Sequence, residues 1–584
     1  MGLIVSVRRW ATTPEDDTAR RVQLGYSDVP TMSMSLLAVF GLAVSIINVP
    51  AAFYAFLPNF MTTGGPAVAL IAHPIILSMA LLVATALSEM ASAYPVGSGV
   101  YYWSKTLAGP HWGPVVCYFT AWYNFIGLIG INASIAYEAG QFMTSLAVLW
   151  GLLPLDLTPS HAVYRVVTVT IAVLGVMGPA WALNLCRPRS LEIIACIFVW
   201  LNAIAWCLLI VGPVVGRVWR LHEPLVPLGT LVTTFRNDQN LPNPWVVLIG
   251  ILPSAWLTTG YDSVAKMADD TRSASKNVPI AMIGCIVAAL PMGWIAIWSM
   301  MASIPLDRYP EYLTPWTLSP AVNLFYDTTG YVGALVLTTL LFLSTFSVAV
   351  SVLAATARTA VSLARDGLLP NSSRWQVIHA ETEVPRNAVH MVTALTVLFM
   401  APALASNIAY AALSSIGTIA TYVSYVVPLV ARAVRGRRMP QGPFALGRAG
   451  PAIAAIAAIY LLIVMAVLVL PTSYVDPADY PTHAAYGWAV LAAFNFAPMM
   501  MALVTLCITV AWHSTNARVV FVGPPMDVVT LRRCGYEPEL GAALPDGVGG
   551  LVPAVAAHIE RDEAFFAEEK ARLLGWERPR ELRR

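Results

Sequence analysis

The sequence predicts an all-α integral membrane protein of about twelve transmembrane helices, arranged as an inverted five-plus-five repeat with two additional helices. Three observations support this: an apolar composition, recurring apolar runs of bilayer length, and interruptions in the first and sixth runs. Hydrophobic residues make up 58% of the 584 residues, and charged residues only 11%. Soluble domains typically carry about 25% charged residues. The composition therefore excludes a string of soluble domains.

Apolar runs recur along most of the chain, and a helix needs roughly 20 apolar residues to cross a bilayer. Two of these runs, 113–147 and 322–357, are longer than one bilayer thickness, which predicts tilt or extension into the aqueous phase. We expect a cytoplasmic segment at 1–30, a transmembrane domain at 31–513 and a cytoplasmic tail at 514–584. The predicted spans, numbered 1 to 12, are 33–57, 66–88, 113–147, 164–183, 192–215, 244–267, 279–303, 322–357, 386–404, 407–431, 449–471 and 485–512.

The orientation follows from the lysines and arginines of the connecting loops, which accumulate on the cytoplasmic side of membrane proteins. With a cytoplasmic N-terminus, the inside loops hold about fifteen of these residues and the outside loops about five. Both termini are therefore predicted to be cytoplasmic, and these basic residues, Lys266 and Arg432 among them, to be topology anchors. We favour the plasma membrane over a vacuolar or other internal membrane.

Span 1 contains Pro50 within the segment Ser45-Ile46-Ile47-Asn48-Val49-Pro50. Proline removes one backbone donor and displaces the carbonyl group four residues earlier, which here belongs to Ile46. Ser45 and Asn48 lie beside this carbonyl and have the polar groups to satisfy it. The segment therefore predicts an interrupted helix, with an ordinary proline kink as the alternative.

Span 6 contains Thr258-Thr259-Gly260 between aromatic residues, followed by Asp262. Glycine weakens a helix by about 1 kcal/mol relative to alanine. An acidic residue inside a membrane is by default a candidate functional group. The alternative for Asp262 is that it caps the second half-helix. Trp256 and Tyr261 have the ring faces to cover a solute or to stack on its cation.

The two interruptions lie five spans apart, as expected for a five-plus-five repeat. Matched interruptions are the best sequence indication of a transport site near the bilayer midplane. Half-helix N-termini would face a solute carboxylate there, and unwound carbonyl groups would face an ammonium group or a coupling ion. The residues predicted to bind solute are Ser45, Ile46, Asn48, Trp256, Thr259, Gly260, Tyr261 and Asp262.

Several loop segments occur in a characteristic order: SEMASAYPVGSGVYYW at 88–103, TGYDSVAKMADDTRSASKNVPIAM at 259–282, ARTAVSLARDGLLP at 357–370 and GPFALGRAG at 442–450. In this order they resemble the amino acid–polyamine–organocation superfamily, and within it the eukaryotic amino acid/choline/GABA permease family. The resemblance covers about residues 23–525. Each segment alone is weak evidence for the family, whereas the whole set in this order is specific to it.

The resemblance implies a gating role for Glu89, with Arg358 or Arg365 as its partner; the alternative is an interfacial helix-end charge. It also implies that span 10 contributes Tyr422 to the solute cavity, and Tyr123, Asn124 and Ser424 are further candidates. Packed or helix-bonded polar residues are the alternative for all four.

The chain also departs from the family pattern. Asp269-Asp270 replaces the usual Glu-Glu pair after span 6, and span 5 lacks the lysine that some relatives use for proton coupling. Glu138, near the outer end of span 3, stands where a small residue is expected. It would either attract a cationic substrate or simply lie in the outer vestibule. Four hydroxyl residues of span 8 would either help bind a cation or bond to their own helix: Ser344, Thr345, Ser347 and Ser351.

The expected function is secondary active transport of amino acids or related amines such as GABA by alternating access, with a proton as the coupling ion. The expected partners are a small-molecule substrate and the lipid bilayer, without nucleic acid, metal or cofactor. The alternatives are a choline- or polyamine-type organocation permease and a nutrient sensor that binds solute with little transport. We do not expect an enzyme, because the sequence contains no HExxH, GxSxG or P-loop motif. A channel is disfavoured because no repeated carbonyl filter is evident. Substrate identity and oligomeric state stay open.

Overall fold

The computed structural model describes residues 34–154, 162–314, 316–379, 382–405, 407–435, 439–471 and 494–514, together with Tyr474, Val490 and Pro524. Within 407–414, and at Pro110, it describes the backbone alone. The predicted cytoplasmic N-terminal segment and nearly all of the predicted C-terminal tail lie outside these residues. Their boundaries therefore stay predictions.

The described residues contain eleven helices that are long and apolar enough to cross a membrane, and a shorter apolar helix at Asn243–Leu257 lies where span 6 was predicted. The prediction of about twelve spans is thereby confirmed. The helices of spans 1 to 6 are Leu36–Ile47 and Val49–Ala55; Gly65–Ala93; Val100–Leu149; Ala162–Ile171, Ala172–Met177 and Gly178–Asn184; Pro188–Val215 and Gly216–Arg220; and Asn243–Gly250, Leu252–Leu257 and Ser263–Lys266. Those of spans 7 to 12 are Ala274–Ser303; Pro320–Arg365; Arg386–Met400 and Pro402–Ala405; Asn407–Arg435; Gly450–Leu468; and Ala497–Ser514.

Short helices lie in the connections. They are Leu57–Thr62, Leu228–Thr233, Ala268–Asp270, Leu306–Arg308, Tyr309–Leu313, Ser372–Trp375 and Gly447–Ala449.

The interrupted spans lie at the centre of the bundle. In span 1, 78% of the most apolar stretch is buried by other parts of the protein, whereas in span 12 the buried share is 17%. Side chains of the outer spans that the protein leaves uncovered are apolar, for example Leu174, Trp200 and Leu506. In a bilayer such side chains face lipid, which is as apolar as they are. The centre therefore carries the polar chemistry and the periphery supplies the membrane-facing surface.

Spans 3 and 8 share an unusual feature near their N-termini. Gly109 has φ 85° and ψ −177°, and Gly330 has φ 77° and ψ −177°. This backbone conformation is essentially restricted to glycine. Each glycine separates a leading helix of about ten residues from the span proper. For span 8 this explains part of the excess length of the run 322–357, whereas span 3 stays long after its bend, with 39 residues from His111 to Leu149. Because spans 3 and 8 are also five apart, the matching bends agree with the predicted five-plus-five repeat.

Candidate functional site

Span 1 is interrupted at Asn48. The first helix ends at Ile47, Asn48 adopts a left-handed conformation with φ 32° and ψ 66°, and a new helix begins at Val49. Pro50 therefore lies in the first turn of the new helix, where its missing N–H costs little. The interruption is confirmed, and the proline-kink alternative is wrong.

Span 6 is interrupted between Leu257 and Ser263. Gly260 has φ 89°, which glycine adopts readily. The N–H groups of Thr258 and Thr259 donate to the carbonyls of Ala255 and Trp256. The Gly260 N–H donates to the Tyr425 hydroxyl of span 10 at 3.2 Å. Unwound backbone inside the membrane is thus hydrogen-bonded locally and by a neighbouring span, as the bilayer requires.

The two interruptions face each other. A Cβ atom built on Gly260 would lie 3.5 Å from Ile46 Cγ2 of span 1 and 3.9 Å from Ile131 Cδ1 of span 3. These are ordinary van der Waals separations, so the backbone conformation, and not a lack of space, demands glycine here. Spans 1, 3 and 6 therefore converge at this level, as the sequence predicted for spans 1 and 6.

Asp262 lies at the end of the second interruption and is fully buried. Its side chain makes no cap hydrogen bond to the following helix, so the capping alternative is wrong. The carboxylate instead lies 2.7 Å from the Lys266 ammonium group, and it accepts hydrogen bonds from the Tyr425 hydroxyl and, at 3.3 Å, from the Asn124 amide. Spans 3, 6 and 10 are joined at this carboxylate.

Lys266 is not the loop anchor that the charge count assigned. Its side chain is 2% exposed and pairs with Asp262 one helical turn earlier. The spacing of four residues between opposite charges could have identified this pair, since such residues are neighbours on a helix. Tyr425, which contacts both Gly260 and Asp262, was also missed. Only the three-dimensional packing of span 10 reveals its role.

Span 5 contributes Asn202, a further residue that the sequence analysis missed. The Asn202 amide donates to the hydroxyls of Ser45 and Ser347, at 3.1 Å each. The Ser344 hydroxyl lies 2.8 Å from Asn48 Oδ1 and 2.5 Å from Asn202 Oδ1, so it can donate to either one. A neutral network of buried groups thus ties the first interruption to spans 5 and 8. A polar amide in the middle of an apolar span was the available signal.

The other three candidate hydroxyls of span 8 bond to their own helix. Thr345, Ser347 and Ser351 donate to the carbonyls of Leu341, Ser344 and Ser347. For these three the helix-bonding alternative is the correct one. Ser344 alone among the four residues donates across to another span.

The tyrosines of spans 3 and 10 differ in location. The Tyr422 hydroxyl donates to the Ala255 carbonyl at 2.5 Å and lies 3.4 Å from the Thr259 hydroxyl, so Tyr422 contacts the second interruption. The Tyr123 hydroxyl lies 2.7 Å from Thr505 of span 12, which directs it away from the interruptions. Asn124 and Ser424 bond to each other at 3.0 Å beside Asp262. Of these candidates, only Tyr123 faces a different part of the bundle.

Four uncharged buried polar atoms, on the two interrupted segments and on span 3 beside Asp262, have no hydrogen-bond partner among the described residues. They are Asn48 Nδ2, Asn124 Oδ1, Tyr261 Oη and Ser263 Oγ. Buried polar groups in proteins are nearly always hydrogen-bonded, so each exception needs an explanation. Donors and acceptors are both present in this set, as recognition of a small polar solute requires.

One end of the bundle opens into a cavity of about 390 Å³, which we call the vestibule. Its lining includes Phe56 and Trp256, whose rings pack edge to face at 5.2 Å and belong to the segments leading to the two interruptions. Polar side chains line the rest of the wall, among them Asn59, Glu138 and Gln239. A larger groove of about 850 Å³ lies between 107–116 and 426–435; it is lined by apolar residues and Arg435 and contains no predicted site residue.

The opposite end is closed by contacts that we call the latch. The segment after span 6 provides two of its acidic residues, Asp269 and Asp270, which stand where the family usually has a Glu-Glu pair. Asp269 accepts from the Gly97 N–H at 2.9 Å and lies 3.8 Å from Arg365, while Asp270 pairs with Arg358 at 2.5 Å. The latch therefore connects the segments that follow spans 2, 6 and 8.

Glu89 also lies at this end, but its predicted partners are wrong. It pairs with Arg432 of span 10 at 2.9 Å, with both side chains 3% exposed, and it accepts from the Leu446 N–H at 2.9 Å. Arg358 and Arg365 instead face Asp270 and Asp269. Glu89 and Arg432 are 343 residues apart in sequence, which explains why the pairing could not be read from local spacing. Burial of both charges also excludes a simple helix-end charge for Glu89.

Asp366, directly after span 8, completes the latch. It accepts from the Tyr101 hydroxyl at 2.7 Å and from Ser98 at 3.4 Å. Burial raises the pKa of the Asp366 carboxyl, while Arg365 and the hydrogen bonds from Tyr101 and Ser98 oppose this shift. Asp366 consequently binds a proton at a higher pH than an exposed aspartate would.

Comparison with known proteins gives a family for the transmembrane part of the chain. The family model described as amino acid permease matches residues 34–494. The amino-acid permease BAT1 homolog of Oryza sativa subsp. japonica is 26% identical over 408 residues, which cover 68% of this chain and 76% of the rice protein. Amino-acid permease 2 of Neurospora crassa is 26% identical over 393 residues, covering 67% of this chain and 70% of the relative.

A GABA-specific permease of Saccharomyces cerevisiae is 23% identical over 375 residues, which cover 64% of each chain. The family match includes both interruptions, the vestibule wall and the latch. The family is one of permeases, in agreement with the twelve-span fold and with the resemblance found in the sequence. The chain belongs to the amino acid permease family.

Proposed function

We propose that this permease moves amino acids, or related amines such as GABA, by alternating access as a proton-coupled secondary transporter. The observation that carries the proposal is the arrangement of the two interruptions. They face each other at the bundle centre, beneath an open vestibule and above a closed latch. A site between one open and one closed end is the arrangement that alternating access requires.

The proposed binding site uses the polar atoms around both interruptions. Asn48 Nδ2 is a donor suited to a solute carboxylate, and Asn124 Oδ1 is an acceptor suited to an ammonium group. Ser45 and Ile46 hold the first interruption, and Thr259 and Gly260 the second. The rings of Trp256, Tyr261 and Tyr422 would cover the solute, with Trp256 between it and the vestibule.

The proposed gates lie on either side of this site. Phe56 and Trp256 would separate the site from the vestibule, while Glu89 and the latch would separate it from the other compartment. If the loop charges orient the chain as predicted, the latch is cytoplasmic and this conformation opens outward. Opening the latch requires several ion pairs to separate together, which suits a two-state change.

Substitution Gly260→Leu tests the proposed site. Leucine cannot adopt the backbone conformation at φ 89° without strain of about 1–3 kcal/mol. We expect uptake of amino acids into proteoliposomes to fall by about tenfold or more. The measurement is initial uptake of a radiolabelled panel of neutral amino acids, basic amino acids and GABA.

Gly229→Leu is the matched control, because Gly229 lies in a short connecting helix with nothing within 4 Å of a built Cβ atom. Its uptake should equal that of the unmodified protein, and size-exclusion profiles would confirm that both variants fold. Normal uptake by Gly260→Leu would contradict the placement. Saturable binding without flux in the unmodified protein would favour the sensor alternative.

For coupling, we propose the Asp262–Lys266 pair as the proton-binding group. Both charges are fully buried beside the second interruption, where an ion pair is costly to maintain. Ionisable groups inside membrane spans typically mark ion or proton pathways. Addition of one proton to the carboxylate would release Lys266 and change the charge next to the bound solute.

A double substitution Asp262→Asn with Lys266→Met tests this role, because removing both charges avoids an unpaired buried ion. An imposed proton gradient should accelerate uptake by the unmodified protein, whereas the double variant should retain exchange of solute and lose this acceleration. The control is Arg236→Gln with Asp238→Asn, which removes an exposed pair at the vestibule end. Full gradient dependence in the Asp262/Lys266 variant would refute the assignment.

The latch is tested by Glu89→Gln and Arg358→Gln, each of which removes one member of an ion pair. We expect amide hydrogen exchange in 94–99 and 268–272 to rise by about severalfold. The reason is that the weakened latch would open locally more often. The exposed Arg374→Gln is the control and should leave these segments unchanged. Equal protection in all three variants would show that these pairs do not hold the latch closed.

A further inference from the structure

Span 3 places one carboxylate in the wall of the vestibule. The Glu138 side chain lines this cavity, and the residue is only 9% exposed. Among the described residues it has neither a hydrogen bond nor an ion pair. The Asp262 and Glu89 carboxylates, by contrast, each pair with a buried cation. Glu138 is therefore a buried acid that the proposed transport site and the latch do not use.

The arginines at the vestibule end are engaged elsewhere. Their described partners are the Leu404 carbonyl for Arg165, Glu223 for Arg217, the Asp327 carbonyl for Arg220, Asp238 for Arg236 and Glu311 for Arg308. Within the part of the chain that the structure describes, none of these arginines pairs with Glu138.

Because the Glu138 side chain lines the open vestibule, a cation that enters this cavity can reach it and supply the partner that the described residues do not. The cavity around Glu138 offers further polar groups, including Gln141, Gln239 and the buried Thr418 hydroxyl, which has no partner among the described residues. Trp256 adds an aromatic ring to the same cavity. A carboxylate, amide oxygens and an aromatic ring form a set suited to an ammonium or guanidinium group.

We propose that Glu138 binds the positively charged side chain of a basic amino acid in the vestibule and selects basic over neutral solutes. The proposal rests on the proposed function, since it names the substrate class that enters the same central site. The vestibule volume of about 390 Å³ lies within the range of small-molecule binding sites, roughly 300–1,000 Å³. Glu138 thus acts before the solute reaches the two interruptions.

The test is Glu138→Gln in the full chain, with radiolabelled L-arginine and L-alanine as probes. Binding to the detergent-purified protein and uptake into proteoliposomes are both measured. A hydrogen bond to a charged group contributes about 1.5–3 kcal/mol, so the Kd and KM for arginine should rise about tenfold to a hundredfold. The values for alanine should stay within about twofold, because alanine has no side-chain charge.

Two further variants separate a specific role from general effects. Glu138→Asp keeps the charge and should retain most of the preference for arginine. Glu311→Gln removes an exposed acid at the same end and should leave both probes unaffected. Thermal melting of each variant checks folding, and if Glu138→Gln does not fold, the Glu138→Asp result decides: loss of its arginine preference would then overturn the proposal.

Three results would overturn the selectivity proposal. The first is a protein that binds arginine no more tightly than alanine. The second is a Glu138→Gln variant in which both probes weaken equally, which would indicate a structural role. The third is an unchanged arginine affinity in Glu138→Gln. Selective arginine binding without flux of either probe would instead uphold Glu138 while refuting the proposed transport.

Discussion

The structure depends on one constraint: backbone that leaves a helix inside a bilayer must find hydrogen-bond partners within the protein. Spans 1 and 6 both break this helical pattern at the centre of the bundle. Most partners come from the same span, as for the N–H groups of Asn48, Thr258 and Thr259, and the Tyr425 hydroxyl of span 10 accepts from the Gly260 N–H. Side chains of spans 3, 5 and 8 also bond to polar side chains of the two interrupted spans. We propose that the solute binds at this same place, between the two interruptions.

Charge is distributed unequally between the two ends of the bundle. At the latch, acidic residues pair with arginines from other spans, and this pairing closes the end. At the vestibule, arginines pair among the loops while Glu138 has no partner among the described residues. Between them, Asp262 and Lys266 form a pair that is neutral as a whole. Paired charges hold the closed side together, and the unpaired charge lies where a solute would enter.

The sequence predicted the interruptions because their causes are local. Pro50 restricts the backbone at its own position and Gly260 frees it, so both breaks could be located without any knowledge of the fold. Partners across spans could not be located in this way. Glu89 meets Arg432, and Asn202 meets Ser45, only after distant helices have packed, and the lateral order of helices leaves little trace in a single sequence. Lys266 is an exception, because its pairing with Asp262 was visible in the helical spacing.

The central claim is that an amino acid binds between the two interruptions. A cryo-electron microscopy structure of the protein with a bound amino acid tests it most directly. We expect density for the solute in contact with the segments Ser45–Asn48 and Thr259–Asp262, with its carboxylate near the Asn48 amide. Density confined to the vestibule, or continuous helices through both segments in the bound state, would contradict the account.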